Sequence, residues 1–112
     1  MAFNQSEIDL IKMEMDEYIA KIRPKQEIRD KLDISYKISG QSVEIFEIRP
    51  DMKGIIMNSP IAKTTYIRTN NTWKVFWMRA DLKWHSYETP VVKSLKDFIK
   101  IVDEDEYCCF WG

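Results

Sequence analysis

The chain reads as an α+β fold: an N-terminal helix, a five-stranded, mainly antiparallel sheet and a C-terminal helix. Three observations carry this. Apolar residues recur at helical spacing up to Pro24, alternate with polar ones through several short runs, and return to helical spacing after Ser94. With 112 residues, the chain (1–112) is expected to form one domain. That is long enough to bury roughly two-thirds of the surface its unfolded form exposes. Hydrophobic residues at 45% and charged residues at 31% suit a globular domain rather than a disordered segment.

The first helix is marked by Ile8, Ile11, Met15, Tyr18, Ile19 and Ile22, one stripe at helical period. Asn4 or Ser6 can cap it, and Pro24 stops it near Arg23. Residues 24–32 read as a short second helix with proline in its first turn. Two strands then flank Gly40-Gln41. A two-residue turn there sets Ile38 opposite Val43, Tyr36 opposite Ile45 and Lys37 opposite Glu44. The same register carries Glu47 and Arg49 onto the apolar face, beside Ile34 and Leu32.

Residues 49–60, with Pro50, Gly54 and Pro60, read as a loop. A second antiparallel unit follows, turning at Asn70-Asn71 and at Asp81-Leu82. Two-residue turns would pair Arg68 with Trp73, Tyr66 with Val75, Thr64 with Trp77 and Arg79 with Trp84. One face then collects Tyr66, Trp73, Val75, Trp77 and Trp84, edged by Arg68 and Arg79. The other collects Ile67, Phe76, Met78 and Tyr87 with Lys63, Lys74 and His85. Ser94 caps the last helix, whose stripe is Leu95, Phe98, Ile99 and Val102. The acidic run at residues 103–106 should end it near Val102. The terminal "YCCFWG" is apolar enough to dock on the body.

Net charge is −1, which excludes a strongly basic protein coating nucleic acid but leaves room for a local basic patch. No apolar run reaches the roughly 18–20 residues of a membrane helix, and the first residues lack signal-peptide character. Cys108 and Cys109 are adjacent with no partner elsewhere, as suits reduced thiols in a cytoplasmic protein. One histidine without ligand-spaced cysteines makes no zinc site, and three glycines make no phosphate loop. No cofactor or metal is expected.

Two groups of residues carry possible chemistry. Glu47 and Arg49 lie side by side on one strand face, either as a rim ion pair or as an anion clamp oriented by the carboxylate. Adding Asp33 gives a nuclease-like reading, against which Arg49 cannot deprotonate to act as a base. The second group spans Lys63 to Tyr87. There Lys63, Arg68, Lys74, Arg79 and Lys83 face only Asp81, a local excess of four positive charges among Trp73, Trp77 and Trp84. Bases stacked on rings and phosphates met by Lys or Arg hold single-stranded nucleic acid in this way. The structural alternative places the three tryptophans in the core, with Arg68 and Arg79 stacked on Trp73 and Trp84.

The segments "IRDKLDISYKISGQSVEIFEIRP", "AKTTYIRTNNTWKVFWMRADLKWHSYE" and "FWG" together resemble a bacterial family catalogued as domain of unknown function number 3024. The resemblance runs from the first helix to Gly112. It rests on Arg29, Leu32-Asp33, Tyr36, Gln41 to Val43, Glu47, Arg49-Pro50, Lys63, Tyr66, Trp73-Lys74, Trp77, Arg79 to Asp81, Lys83-Trp84, Tyr87 and Phe110-Trp111. It implies a small stand-alone bacterial protein and brings no catalytic or binding residues.

The expectation is therefore a non-enzymatic binding module with a basic-aromatic surface, taking single-stranded nucleic acid in preference to another protein. Its candidate residues are Glu47, Arg49, Lys63, Arg68, Lys74, Arg79, Lys83, Trp84, His85 and Tyr87. Two alternatives stand beside it. One is a small nuclease-like enzyme using Glu47 and Arg49 with Asp33 or His85. The other is a homo-oligomeric or protein-binding scaffold that buries its second aromatic face.

Overall fold

Helix α1 (Gln5–Ile22) starts where Asn4 closes a capping box. The Asn4 side chain accepts from the Glu7 N–H, and the Glu7 carboxylate accepts from the Asn4 N–H, both at 2.9 Å. This computed structural model describes residues 2–111, so Gly112, expected in the docked tail, lies outside the described residues. Arg23 turns extended ahead of Pro24 and ends the helix. The second helix expected over residues 24–32 is a single 3-10 turn, Gln26–Ile28. Its apolar residue Ile28 is exposed, so nothing offsets the cost of nucleating so short a helix.

Five strands follow: β1 (Asp33–Ser39), β2 (Ser42–Pro50), β3 (Ile56–Ile67), β4 (Thr72–Met78) and β5 (Trp84–Val92). They form one sheet in sequence order, every neighbouring pair antiparallel. Helix α2 (Leu95–Glu104) completes the α+β fold, with the Ser94 side chain accepting from the Asp97 N–H at 3.1 Å.

The first hairpin keeps the expected register. Ile38 faces Val43, Tyr36 faces Ile45 and Ile34 faces Glu47. Gly40 has φ +60°, the value a type II′ turn requires at its first central position. The β3–β4 hairpin differs. Ile67 pairs with Thr72 and Tyr66 with Trp73, so residues 68–71 form a four-residue connection. The slip is two positions, and each side chain therefore keeps its predicted face.

The β4–β5 hairpin slips by one. Met78 pairs with Trp84 and Trp77 with His85, whereas Arg79 had been expected opposite Trp84. The connection is three residues, 80–82, closed by an Arg79 N–H to Lys83 carbonyl bond of 3.3 Å. Leu82 supplies the left-handed position at φ +62° that such loops use. An odd shift inverts the strand. His85 and Tyr87 turn toward the helices, and Trp84 turns away from them.

The expected loop at residues 49–60 is mostly strand. β2 runs to Pro50 and β3 starts at Ile56, paired through Arg49–Met57 and Ile48–Asn58. The Asp51 N–H bonds the Ile55 carbonyl at 2.8 Å. Alternation along an antiparallel ladder then leaves Pro50 and Pro60 at positions whose nitrogens point off it. The prolines are compatible with strand for that reason.

Both helices cover one sheet face. Ile11, Met15, Tyr18 and Ile19 of α1 and Leu95, Phe98 and Val102 of α2 join Ile34, Val43, Ile45, Ala62, Val75 and Tyr87 in one buried cluster. Trp73 and Trp77 pack against it. α2 runs two residues beyond its expected end, because left-handed Asp105 turns the chain and its carboxylate accepts from the Phe110 and Trp111 N–H groups at 3.0 and 2.8 Å. The tail docks as expected, with Phe110 buried and the Trp111 indole donating to the Val102 carbonyl at 3.0 Å.

Candidate ligand-binding face

Strand geometry places alternate residues on the uncovered face. One row crosses all five strands: Lys37, Glu44, Lys63, Phe76 and Ser86 are successive cross-strand partners. Next to it, Ser42, Thr65, Lys74 and Val91 form a second row. No residue of either row is buried, and neither helix reaches them.

Lys63 lies at the middle of this face, on the central strand. Its ammonium is 5.4 Å from the Phe76 ring centre and 5.5 Å from that of Trp84. Lys37 lies 6.0 Å over Phe46 and 3.7 Å from the Glu44 carboxylate. The Ser42 and Thr65 hydroxyls satisfy one another at 2.7 Å. Lys74 is exposed and carries no salt bridge among the described residues. The result is a flat surface of half-buried rings and forward-pointing ammonium groups. Sequence parity had set Lys63, Lys74 and Phe76 on one face. Trp84 enters only through the one-residue slip, while Lys37 and Phe46 were overlooked although they follow from the first hairpin's register.

The remaining candidates lie elsewhere. Glu47 and Arg49 bond each other at 2.5 Å at the base of the β2–β3 extension, with the Arg49 side chain 49% exposed. Charges sit on the apolar parity here because the buried cluster ends at Ile34 and Ile45. Asp33 pairs with Ile48 and so has the opposite parity to Glu47. Both its oxygens are taken by Arg23 at 2.7 Å, and that guanidinium holds the Asp33 carboxyl below its ordinary range. Among the described residues, no three His, Cys, Asp or Glu side chains gather as a metal site would need.

Arg68 donates to both Glu7 oxygens, at 2.9 and 2.7 Å, and to the Ala2 carbonyl at 3.0 Å. Its guanidinium lies 5.7 Å from the Tyr66 ring rather than on Trp73. It fastens the N-terminus to β3. Arg79 lies 5.3 Å over Trp77, not over Trp84, which is on the other face. Lys83 flanks the three-residue turn opposite Arg79, and its N–H bonds Asp81 at 3.0 Å. His85 donates through Nε2 to Asp81 at 2.8 Å, and this contact lowers the Asp81 carboxyl. Tyr87, expected on the exposed mixed face, is buried against Phe110 at 5.0 Å, and burial raises its hydroxyl. Cys108 and Cys109 are free, one exposed and one half-buried, and burial raises the Cys109 thiol.

The family model described as Domain of unknown function (DUF3024) matches residues 3–112, and the chain belongs to that family. Comparison with curated proteins and with solved structures gives no match.

Proposed function

We propose that this member of the DUF3024 family is a non-enzymatic binding module that takes single-stranded nucleic acid on its open sheet face. The observation that carries this reading is Lys63 held between the Phe76 and Trp84 rings at the centre of an uncovered surface. Each base stacked on an exposed ring contributes ~1–3 kcal/mol, and every base has a face to stack. Lys63 and Lys74, together with Lys37 when a phosphate displaces its Glu44 partner, supply charge for the phosphates between stacked bases. Helix α1, on the far side, carries Glu7, Asp9, Glu14, Asp16 and Glu17 against Lys12 and Lys21. A near-neutral chain is thereby divided into a basic face and an acidic back, which orients an incoming polyanion.

The test is titration of labelled single-stranded DNA and RNA, at low and at physiological salt. Three lysine–phosphate contacts give a salt slope of about −2 for a single strand. Lys63→Glu and Trp84→Ala should each weaken binding by about tenfold or more. No binding at low salt, or unchanged affinity in both variants, sinks the reading.

One observation favours the protein-binding scaffold as a second reading. Toward the β2–β3 extension the open face turns apolar, with Phe46, Ile48, Pro50, Ile56 and Pro60 sharing one parity. The nuclease-like alternative gains no such support, since Asp33 and Glu47 differ in parity.

A further inference from the structure

We propose that the extended β2–β3 arm joins two copies of this chain, edge to edge, through β3. The arm is the part of β2 and β3 that outruns the sheet. β1 pairing begins at Asp33–Ile48, and β4 pairing begins at Ala62–Trp77. Beyond those points, at residues 49–61, the two strands have only each other among the described residues. Their tip carries four of the exposed large apolar side chains among the described residues, Met52, Ile55, Ile56 and Met57, with Met52 fully in solvent. A two-stranded hairpin with an apolar tip and no third strand is marginal by itself in water, and exposed apolar patches of this kind mark contacts.

The ladder decides which edge is available. The Asp51–Ile55 bond makes 51/55 a hydrogen-bonded pair, so 49/57 and 47/59 are hydrogen-bonded as well. The backbone groups of Ile56, Asn58 and Pro60 therefore point outward, along the side β4 would occupy. The opposite edge of the arm offers Pro50 there, which has no N–H, and is blunted. One edge is closed to strand pairing and one is open.

The open edge complements itself. A two-fold axis through Asn58 sets Asn58 against Asn58 of the second copy and Ile56 against the other copy's Pro60. The two asparagines exchange N–H to carbonyl bonds. Each Ile56 N–H meets a Pro60 carbonyl, giving four backbone bonds in which the absent proline donors fall at the ends. Charge allows this as well. The arm carries Glu47 and Asp51 against Arg49 and Lys53, so it meets its own image without net repulsion. Residues 51–58 are all exposed, and a contact confined to so short an arm is small beside a standard interface. A contact of that size is expected to be weak, which sets the range to search at Kd ~1 µM to ~1 mM. This contact leaves the Lys63–Phe76–Trp84 surface uncovered, so it stands independently of the nucleic-acid reading.

Sedimentation equilibrium across that concentration range tests it. The full chain should pass from monomer to dimer. Asn58→Pro removes both central donors without touching a β2–β3 bond and should return the chain to monomer, with its circular dichroism and urea midpoint unchanged. Ile56→Lys, a second variant that keeps the backbone intact, should weaken the dimer by tenfold or more. A monomer at the top of the range leaves the edge to a foreign strand or to none and overturns the assignment. So does a dimer that both variants leave intact, since its interface must then lie elsewhere.

Discussion

The two faces of the sheet are built from the same five strands, one residue out of step, and are governed by different physics. On the covered face Val43, Ile45, Ala62, Thr64 and Val75 are almost fully buried. The Thr64 hydroxyl, fully buried on that face, donates to the Lys74 carbonyl at 2.7 Å and so is satisfied. On the open face the alternating neighbours Glu44, Lys63, Thr65, Lys74 and Phe76 stay in reach of water. Parity alone separates what holds the domain together from what it can present to a ligand. A substitution should therefore affect stability or recognition according to which face its position takes, with the parity reset at the register shifts of the β2–β3 and β4–β5 pairs.

The sharpest way to break this comparison pits two phenylalanines against each other. Phe98 projects from α2 into the core with no exposed surface, and truncating it to alanine should cost ~3–5 kcal/mol. Phe76 rests half-buried on the open face beneath Lys63, and Phe76→Ala should cost about 1 kcal/mol or less. Urea denaturation gives both numbers. Equal losses would mean that the open face is packed in solution as the covered one is.

A smaller effect concerns how the covered face is closed at its end. Asp105 holds two backbone N–H groups of the tail and so seats Phe110 beside Tyr87 and Trp111 beside α2. Asp105→Ala should cost about 1–2 kcal/mol, because two partly buried donors lose their acceptor. Tryptophan emission should shift toward that of solvated indole as Trp111 loosens. If stability holds and emission stays put, the carboxylate is not what seats the tail.

The sequence made one of these faces far easier to read than the other. The first hairpin was legible because Gly40 dictates a two-residue turn, and a fixed turn fixes every pair beyond it. The β3–β4 connection was misjudged by two residues, which cost the pairings but not the faces, so Lys63 and Lys74 remained with Phe76. The β4–β5 turn was misjudged by one. Nothing in "RADLK" announces a left-handed leucine, and a non-glycine residue in that conformation leaves no compositional mark. That single residue exchanged Trp84 for His85 and Tyr87 between the faces. The arm was missed for a different reason. Pro50 and Pro60 look like breaks until the ladder phase shows that neither was required to donate.

The smallest expected effect lies where α1 packs over the covered face. Tyr18 on α1 is buried, and its hydroxyl has no hydrogen-bond partner among the described residues. Burial pushes that hydroxyl well above the usual tyrosine range, with the nearby Asp103 carboxylate adding to the effect. The folded chain therefore favours the neutral phenol more strongly than the unfolded chain does. This contribution is fully present below pH ~10, where tyrosine is neutral in both states. It is lost as the pH rises above ~10, because the unfolded chain then ionises and the folded chain resists. Tyr18→Phe removes the titrating group and the stranded hydroxyl together. At neutral pH it should leave stability unchanged or raise it by up to ~1 kcal/mol. Above pH ~10 its advantage over the parent chain should widen, while Tyr36 and Tyr87, also raised by burial, keep a residual alkaline decline in both. Urea midpoints at pH 7 and pH 10.5 measure this difference directly. A loss of stability at pH 7 would mean that the hydroxyl has a partner after all, such as a buried water, and that the covered face is less dry beneath α1 than its parity suggests.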